Sequence, residues 1–381
     1  MFKILHKYSI IFLLLNVILF LFYNGTLGQD DDYYSKLKRL SESSKMTPNG
    51  VKVPAFKGAT IAHVHVRGKG YGSGSSKRLF KHFKGIGINS IQLNTFVYQP
   101  DVHQPQLYSK DNTLRLSDLR KEIISLHKHG FKVYLKPHLW PGKSWKPTVW
   151  RDKIDLKNKK LRKKWFDNYW QFLKQQIQIS IEEKVAIFAI GTELSAMSKY
   201  SDDWIDLIQK IRDLGYTGLL SYAALAYNAP KMKFWHKLDV ISLNFYYPYK
   251  KHDESGEVLR NHYAKKMLPF LKFAKKMNKE IYVSELGFPS HQNAILKPWS
   301  WPEKTAHSDK AANFDLQSKG YTSLLSMLQH SSIVDGVWVW KYITNMNSYE
   351  KQKYTKGFNL ENKPAEVILS QYYRGRPIKV K

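Results

Sequence analysis

Glu193 and Glu285 are the residues whose surroundings most invite chemistry. Glu193 stands in Ile190-Gly191-Thr192-Glu193-Leu194 and Glu285 in Tyr282-Val283-Ser284-Glu285-Leu286-Gly287, each behind an apolar, β-branched run that reads as a buried parallel strand. A carboxylate where such a strand gives way to its loop is costly unless it is paired or used. Two of them at the same place on two strands point to a carboxyl pair. Cleavage of a glycosidic bond needs such a pair, with one group protonated toward the leaving oxygen and the other ionised toward the sugar carbon. The environment must hold their pKa values apart. The plainer alternative is two strand-end glutamates held in structural salt bridges.

Aromatic residues gather behind the same kind of strand end. After the third strand come His138, Trp140, Trp145 and Trp150; after the sixth, Phe245, Tyr246, Tyr247 and Tyr249; after the seventh, Trp299 and Trp301; within the eighth, Trp338 and Trp340. Each ring alone is as good a packing residue as a ligand contact. Together they suit a cleft in which flat faces stack on a pyranose while polar edges stay wet.

These side chains need a scaffold that brings strand ends to one place. Strand-like runs fall at 59–66, 88–98, 132–137, 185–191, 218–223, 238–246, 280–285 and 336–342. Helix-period segments follow them at 76–84, 117–129, 160–183, 202–214, 230–236, 258–277, 309–330 and 364–373. Glycines at 85, 87, 130 and 215 end several helices just before the next strand. Eight β/α units without a dinucleotide fingerprint predict a single-domain α/β fold, a (β/α)8 TIM barrel over residues 57–375, with Glu193 ending strand 4 and Glu285 ending strand 7 at one mouth. The run Gly68-Lys69-Gly70-Tyr71-Gly72-Ser73-Gly74 has neither Rossmann nor P-loop spacing and is expected to be a flexible loop before a helix capped by Ser75 or Ser76.

Composition bounds the rest. The 381 residues include 43% hydrophobic side chains, 11 Trp, 24 Tyr and 19 Phe, enough for a large core, and no cysteine, which excludes disulfides and a lipidated cysteine anchor. Lys3 and Lys7, the apolar run from Ile10 to Phe22 and the small residues Gly25, Thr26 and Gly28 have the order of a secretory signal over 1–28, with an uncleaved membrane anchor as the alternative. A polar segment, 29–56, then leads through the turn Thr47-Pro48-Asn49-Gly50 into the barrel as a helix or tether. A secreted or periplasmic monomer is expected. Without the leader's two lysines the formal charge is still about +28, spread along helix faces as a solvated basic surface or a docking face for an acidic glycan, with no nucleic-acid motif. His63 and His65 share one strand face without a third ligand nearby, so neither a metal nor another cofactor is expected. Asp239, before strand 6, is expected in a salt bridge at the barrel bottom. No Gly-x-Ser-x-Gly elbow precedes a helix.

The stretches Tyr71-Gly72-Ser73, Gly87 to Ile91, Val133 to His138, Gly191 to Leu194, Leu243 to Pro248, Ser284 to Gly287 and Gly336 to Trp340 resemble the retaining glycoside hydrolases of clan A, and within them family 113, whose characterised members are β-mannanases. The resemblance spans about residues 57–375. It implies Glu193 as acid/base and Glu285 as nucleophile, with carboxyls about 5–5.5 Å apart. Substrate contacts are implied for His138, Tyr246 and Trp340, Tyr246 also donating to the nucleophile, and are expected as well at Trp140, Asn244 and Trp299. The expected substrate is β-1,4-mannan or a related oligosaccharide. One departure stands out: Thr192 occupies the position directly before the acid where the clan usually has an asparagine for the sugar 2-hydroxyl. A non-catalytic carbohydrate-binding barrel is the alternative from another class.

Overall fold

The structure is a computed structural model and describes residues 32–41, 45–109, 114–142, 149–251, 254–300, 312–345 and 355–380. The expected leader, Trp145 and Trp301 lie outside the described residues.

Eight parallel strands close in sequence order into a barrel: β1 (Phe56–Ala62), β2 (Ser90–Gln99), β3 (Lys132–Pro141), β4 (Ile187–Thr192), β5 (Leu219–Leu225), β6 (Ile241–Asn244), β7 (Ile281–Leu286) and β8 (Val334–Ile343). A helix α1 (Tyr33–Arg39) precedes them, lying along α6 (Gly256–Met277), which follows β6. The other barrel helices are α2 (Gly74–Ile86), α3 (Leu116–Lys128), α4 (Lys159–Glu182), α5 (Ser201–Asp213), α7 (Phe314–Leu328) and α8 (Pro364–Tyr373). All eight expected strands are present, and the TIM barrel is the observed fold. None of the described helices is long and apolar enough to cross a membrane.

Three local expectations are corrected. The segment after β5 forms two short 3-10 turns, Ala229–Lys231 and Trp235–Lys237, instead of a helix over 230–236. Met232 between them is extended (φ −79°, ψ 132°), and the Trp235 indole donates to Ala229 O at 2.8 Å, closing the segment through a side chain. Ser73, not Ser75 or Ser76, caps α2, accepting from Ser76 N–H at 3.4 Å. The glycine-rich loop is tied down by Glu122, which accepts from Gly72 N–H at 2.7 Å and from the Ser76 hydroxyl at 2.5 Å. Gly87 ends α2 at φ 100°, a left-handed conformation that a side chain would strain.

Alternating residues on the strands face the barrel axis or the helices. The outward rows pack against the helices in one large core, whereas the lower interior is filled by Phe56, Tyr134, Ile187, Ala189, Val240, Tyr282 and Trp338. Asp239 lies at this end, bonded to Arg212 at 2.5 Å and accepting from Leu220 N–H at 2.6 Å, the salt bridge expected of it. At the opposite end the ladder is irregular, with register shifts between Ala189 and Thr192 and between Leu243 and Asn244. Such bulges re-aim side chains beside sites.

Candidate active site

Lys136, His138 and Trp140 share the inward row of β3; Glu193 follows β4; Asn244 ends β6 and Tyr246 comes two residues later; Ser284 and Glu285 lie on β7; Trp340 lies on β8. All stand at the carboxyl ends of the strands and open on one mouth. The two motif glycines allow the close packing this needs. A Cβ on Gly191 would stand 2.8 Å from the Tyr222 ring, and one on Gly287 would stand 2.5 Å from Trp340 O.

Glu193 has φ 56°, a left-handed conformation that costs a non-glycine residue about 1–3 kcal/mol and is tolerated where the surroundings enforce it. Its N–H bonds to Ala223 O at 2.9 Å. The carboxylate, buried at 6% exposure, accepts from the Trp150 indole N–H at 2.8 Å and from Asn244 Nδ2 at 2.7 Å, and faces Arg151 Nε at 3.4 Å. The Arg151 guanidinium lies 4.4 Å from the Trp150 ring and 5.0 Å from the Trp140 ring, and those rings meet edge to face at 5.1 Å.

Glu285 is as deeply buried. One carboxylate oxygen, Oε1, is ion-paired with Lys136 Nζ, and Oε2 accepts from Tyr246 OH at 3.1 Å. Burial raises its pKa, against Lys136, which lowers it; burial likewise lowers the pKa of Lys136, against Glu285. Each partner therefore offsets part of the cost that burial places on the other's charge. With the Gln92 amide oxygen turned toward it at 2.9 Å, and Ser284 O at 3.5 Å, the ammonium has three acceptors. Burial pushes the Tyr246 phenol well up, so it stays a donor. Burial, then Arg151 and Lys136, push His138 well below its usual range. Its imidazole is therefore neutral, 3.8 Å from Glu285 and nearly parallel to Trp340 at 6.1 Å and 12°.

Asn244 ties Glu193 to the end of β7. It is the register partner of Glu285, donates to Glu193 and accepts from the Ser284 hydroxyl at 2.9 Å. Thr192 does not face the site's open side, because its hydroxyl donates to Pro137 O at 3.0 Å.

The structure thus brings together Glu193, Glu285, His138, Trp140, Asn244, Tyr246 and Trp340. Trp299 is apart from this network, half exposed at 50% on the segment after β7. Trp338 and Phe245 are buried packing residues: Trp338 sits two residues below Trp340 in the lower interior and donates to Ser90 Oγ at 3.2 Å. Lys136, Arg151 and Ser284 join the site without having been assigned a role from sequence, and Trp150, expected there only as one of the cleft aromatics, meets Glu193 through its indole N–H. Lys136 carried a signal, since a lysine among Val133, Tyr134 and Leu135 is out of keeping with a buried strand unless it has a counter-charge. No group of three or more His, Asp or Glu side chains suited to a metal occurs among the described residues, and His63 Nδ1 accepts from Tyr71 N–H at 3.0 Å.

Comparison with known proteins bears on the fold and the family. No curated protein matches by sequence. Among solved structures, one described as a β-1,4-mannanase of glycoside hydrolase family 113 superposes with a TM-score of 0.72 at 22% identity, over 85% of this chain and all of that one. The family 113 β-mannanase of Alicyclobacillus acidocaldarius superposes with a TM-score of 0.71 at 19% identity, over 84% of this chain and 98% of its own. At greater distance, an endo-β-1,4-glucanase of Xanthomonas axonopodis pv. citri superposes at 0.51 and 14% identity, over 84% and 98% of the two chains. These likenesses establish the shared fold. The family model for Glycoside Hydrolase Family 113 matches residues 59–363, so the chain belongs to that family and is a glycoside hydrolase.

Proposed function

We propose that the protein is a retaining β-glycosidase acting on β-1,4-mannan or its oligosaccharides, with Glu193 as acid/base and Glu285 as nucleophile. In the first step Glu285 Oε2 attacks the anomeric carbon, the glycosidic bond breaks, and the Glu193 proton passes to the departing oxygen. In the second, water attacks the same carbon, its proton passes to Glu193, and the ester bond electrons return to Glu285. The observation that carries this reading is the difference between the two carboxylates. Glu285 has an ammonium and a phenol fixing it, as suits a group that must be ionised to attack. Glu193 stands beside the Trp140 and Trp150 rings, which offer flat faces for the leaving-group sugar. Trp340 and His138 would flank the sugar at the cut. The mannan assignment draws on the family and on the printed activity of its structural neighbours.

Reducing-end release across mannan, glucomannan, xylan, β-glucan and chitosan tests the substrate. Release from mannan or glucomannan above the others supports the reading. Binding without release from any of them favours a non-catalytic carbohydrate-binding barrel. Binding to an acidic glycan that weakens steeply with salt favours a role for the +30 charge instead. We place the enzyme outside the cytoplasm, as a monomer, on the leader reading of 1–28; N-terminal sequencing of exported protein and light scattering check both points.

A further inference from the structure

Each of the two carboxylates has its own buried cation. Lys136 is fully buried and its ammonium meets Glu285; Arg151 is 3% exposed and its guanidinium meets Glu193 at 3.4 Å. The two cations differ in how they are held. Lys136 is fixed by oxygens from β2 and β7, Gln92 and Ser284, at the floor of the mouth. Arg151, on the segment after β3, lies against two indoles, Trp140 of β3 and Trp150 of its own segment. A lone counter-charge would suffice to steady one carboxylate. Two of them, each assigned to one acid, suit a site in which negative charge resides on each acid in turn.

Double displacement moves the charge in that way. Before the first step Glu285 is ionised and Glu193 carries a proton. Once the ester has formed, Glu285 is neutral and Glu193, having given its proton to the leaving oxygen, is ionised. The site's net charge is unchanged, but the negative charge has passed from the neighbour of Lys136 to the neighbour of Arg151. A buried ammonium without its counter-charge is unfavourable, so Lys136 opposes the ester and favours its departure. A buried guanidinium facing a neutral carboxylic acid is likewise unfavourable, so Arg151 favours proton release from Glu193 and with it the ester.

We propose that Lys136 and Arg151 are opposed positioning residues that set the lifetime of the glycosyl-enzyme, Lys136 shortening it by stabilising Glu285 as leaving carboxylate and Arg151 promoting its formation by stabilising ionised Glu193. The inference rests on the roles proposed above for the two glutamates.

The test is stopped-flow release of dinitrophenolate from 2,4-dinitrophenyl β-mannobioside, with acid quench and peptide mapping of the labelled enzyme. Wild-type label on Glu285 upholds the underlying roles; label on another residue overturns them, whatever the variants do. Given label on Glu285, Lys136→Met is expected to raise the ratio of glycosylation to deglycosylation rate about tenfold or more, seen as a larger burst and a longer-lived ester. Arg151→Met is expected to shift it the other way on mannotetraose, whose departing sugar needs the acid, seen as less ester trapped by acid quench, and to leave glycosylation by the dinitrophenyl substrate nearly unchanged. Lys136→Arg keeps the charge and should leave the ratio within about threefold of wild type, and Arg151→Lys, which keeps the charge but loses the guanidinium stack, should shift it less than Arg151→Met does. If a methionine variant fails to fold, its charge-conserving partner decides, because a tenfold change of the ratio there contradicts a counter-charge role. Equal slowing of both steps by both methionine variants, or a shorter-lived ester in Lys136→Met, also overturns the proposal.

Discussion

The two ends of the barrel interior are built from the same strands and differ in almost everything else. Tyr134 and Lys136 are two residues apart on the inward row of β3, Trp338 and Trp340 two apart on β8, and Tyr282 and Glu285 three apart on β7. The lower member of each pair is an aromatic side chain packed with its fellows, Tyr134 meeting the Trp338 ring edge to face at 4.9 Å and sharing a hydrogen bond with the Ser221 hydroxyl at 2.7 Å. The upper members are a buried ammonium, a carboxylate and a ring that faces them. One end is neutral and closed. The other concentrates two acids and two cations in a space where each charge depends on another for its solvation. With the glutamates in the roles proposed for them, the barrel divides its labour along the strand axis: two residues of rise, about 6.6 Å, separate stability from chemistry.

Substitutions at the two ends should therefore fail in different ways. The largest effect is expected from Glu285→Ala, which should remove activity by several orders of magnitude, with partial rescue by azide as an α-glycosyl azide, while thermal unfolding still shows a folded protein. Glu193→Gln should follow closely on natural substrate and much less on a dinitrophenyl glycoside that needs no proton. At the lower end, Trp338→Ala should cost about 3–5 kcal/mol in denaturant unfolding by leaving a cavity among Phe56, Tyr134 and Tyr282, yet keep turnover per folded molecule near wild type. If Trp338→Ala abolished turnover in folded protein, the division between ends would be broken.

The sequence showed the lower end and the acids at the upper end for different reasons. β-Branched runs and glycine stops are local signals, so all eight strands were legible, and a glutamate behind such a run was conspicuous. Lys136 was not read as a partner because its burial depends on Glu285, a residue far along the chain that no pattern connects to it. Arg151 and Trp150 belong to the segment after β3, whose place over Glu193 follows from tertiary packing. Trp338 misled for the opposite reason: strand alternation puts it on the same row as Trp340, and nothing local tells which layer of that row is open.

Smaller effects refine the picture. Tyr246→Phe removes one hydrogen bond to a charged group and should lower kcat/KM about 10–100-fold. It should leave unfolding free energy almost unchanged. The activity of Lys136→Met should fall off at higher pH on the acid side than that of wild type, because loss of the ammonium lets burial raise the Glu285 carboxyl further. Away from both ends, His82 on α2 bonds Glu366 on α8 at 2.8 Å, which raises the pKa of the imidazole. Since the folded value lies above the unfolded one, this contribution is complete below about pH 6 and lost as pH rises through the folded value. The stability difference between wild type and His82→Gln should shrink accordingly, with no change in turnover.

Double displacement requires that Glu285 and then water, activated by Glu193, attack one anomeric carbon in turn. Proton NMR of mannotetraose hydrolysis by the wild-type enzyme tests it at the bond itself, from the configuration of the new reducing end before mutarotation. The β-anomer should appear first. Initial appearance of the α-anomer would contradict the claim, because a single inversion leaves no role for Glu285 as a leaving carboxylate.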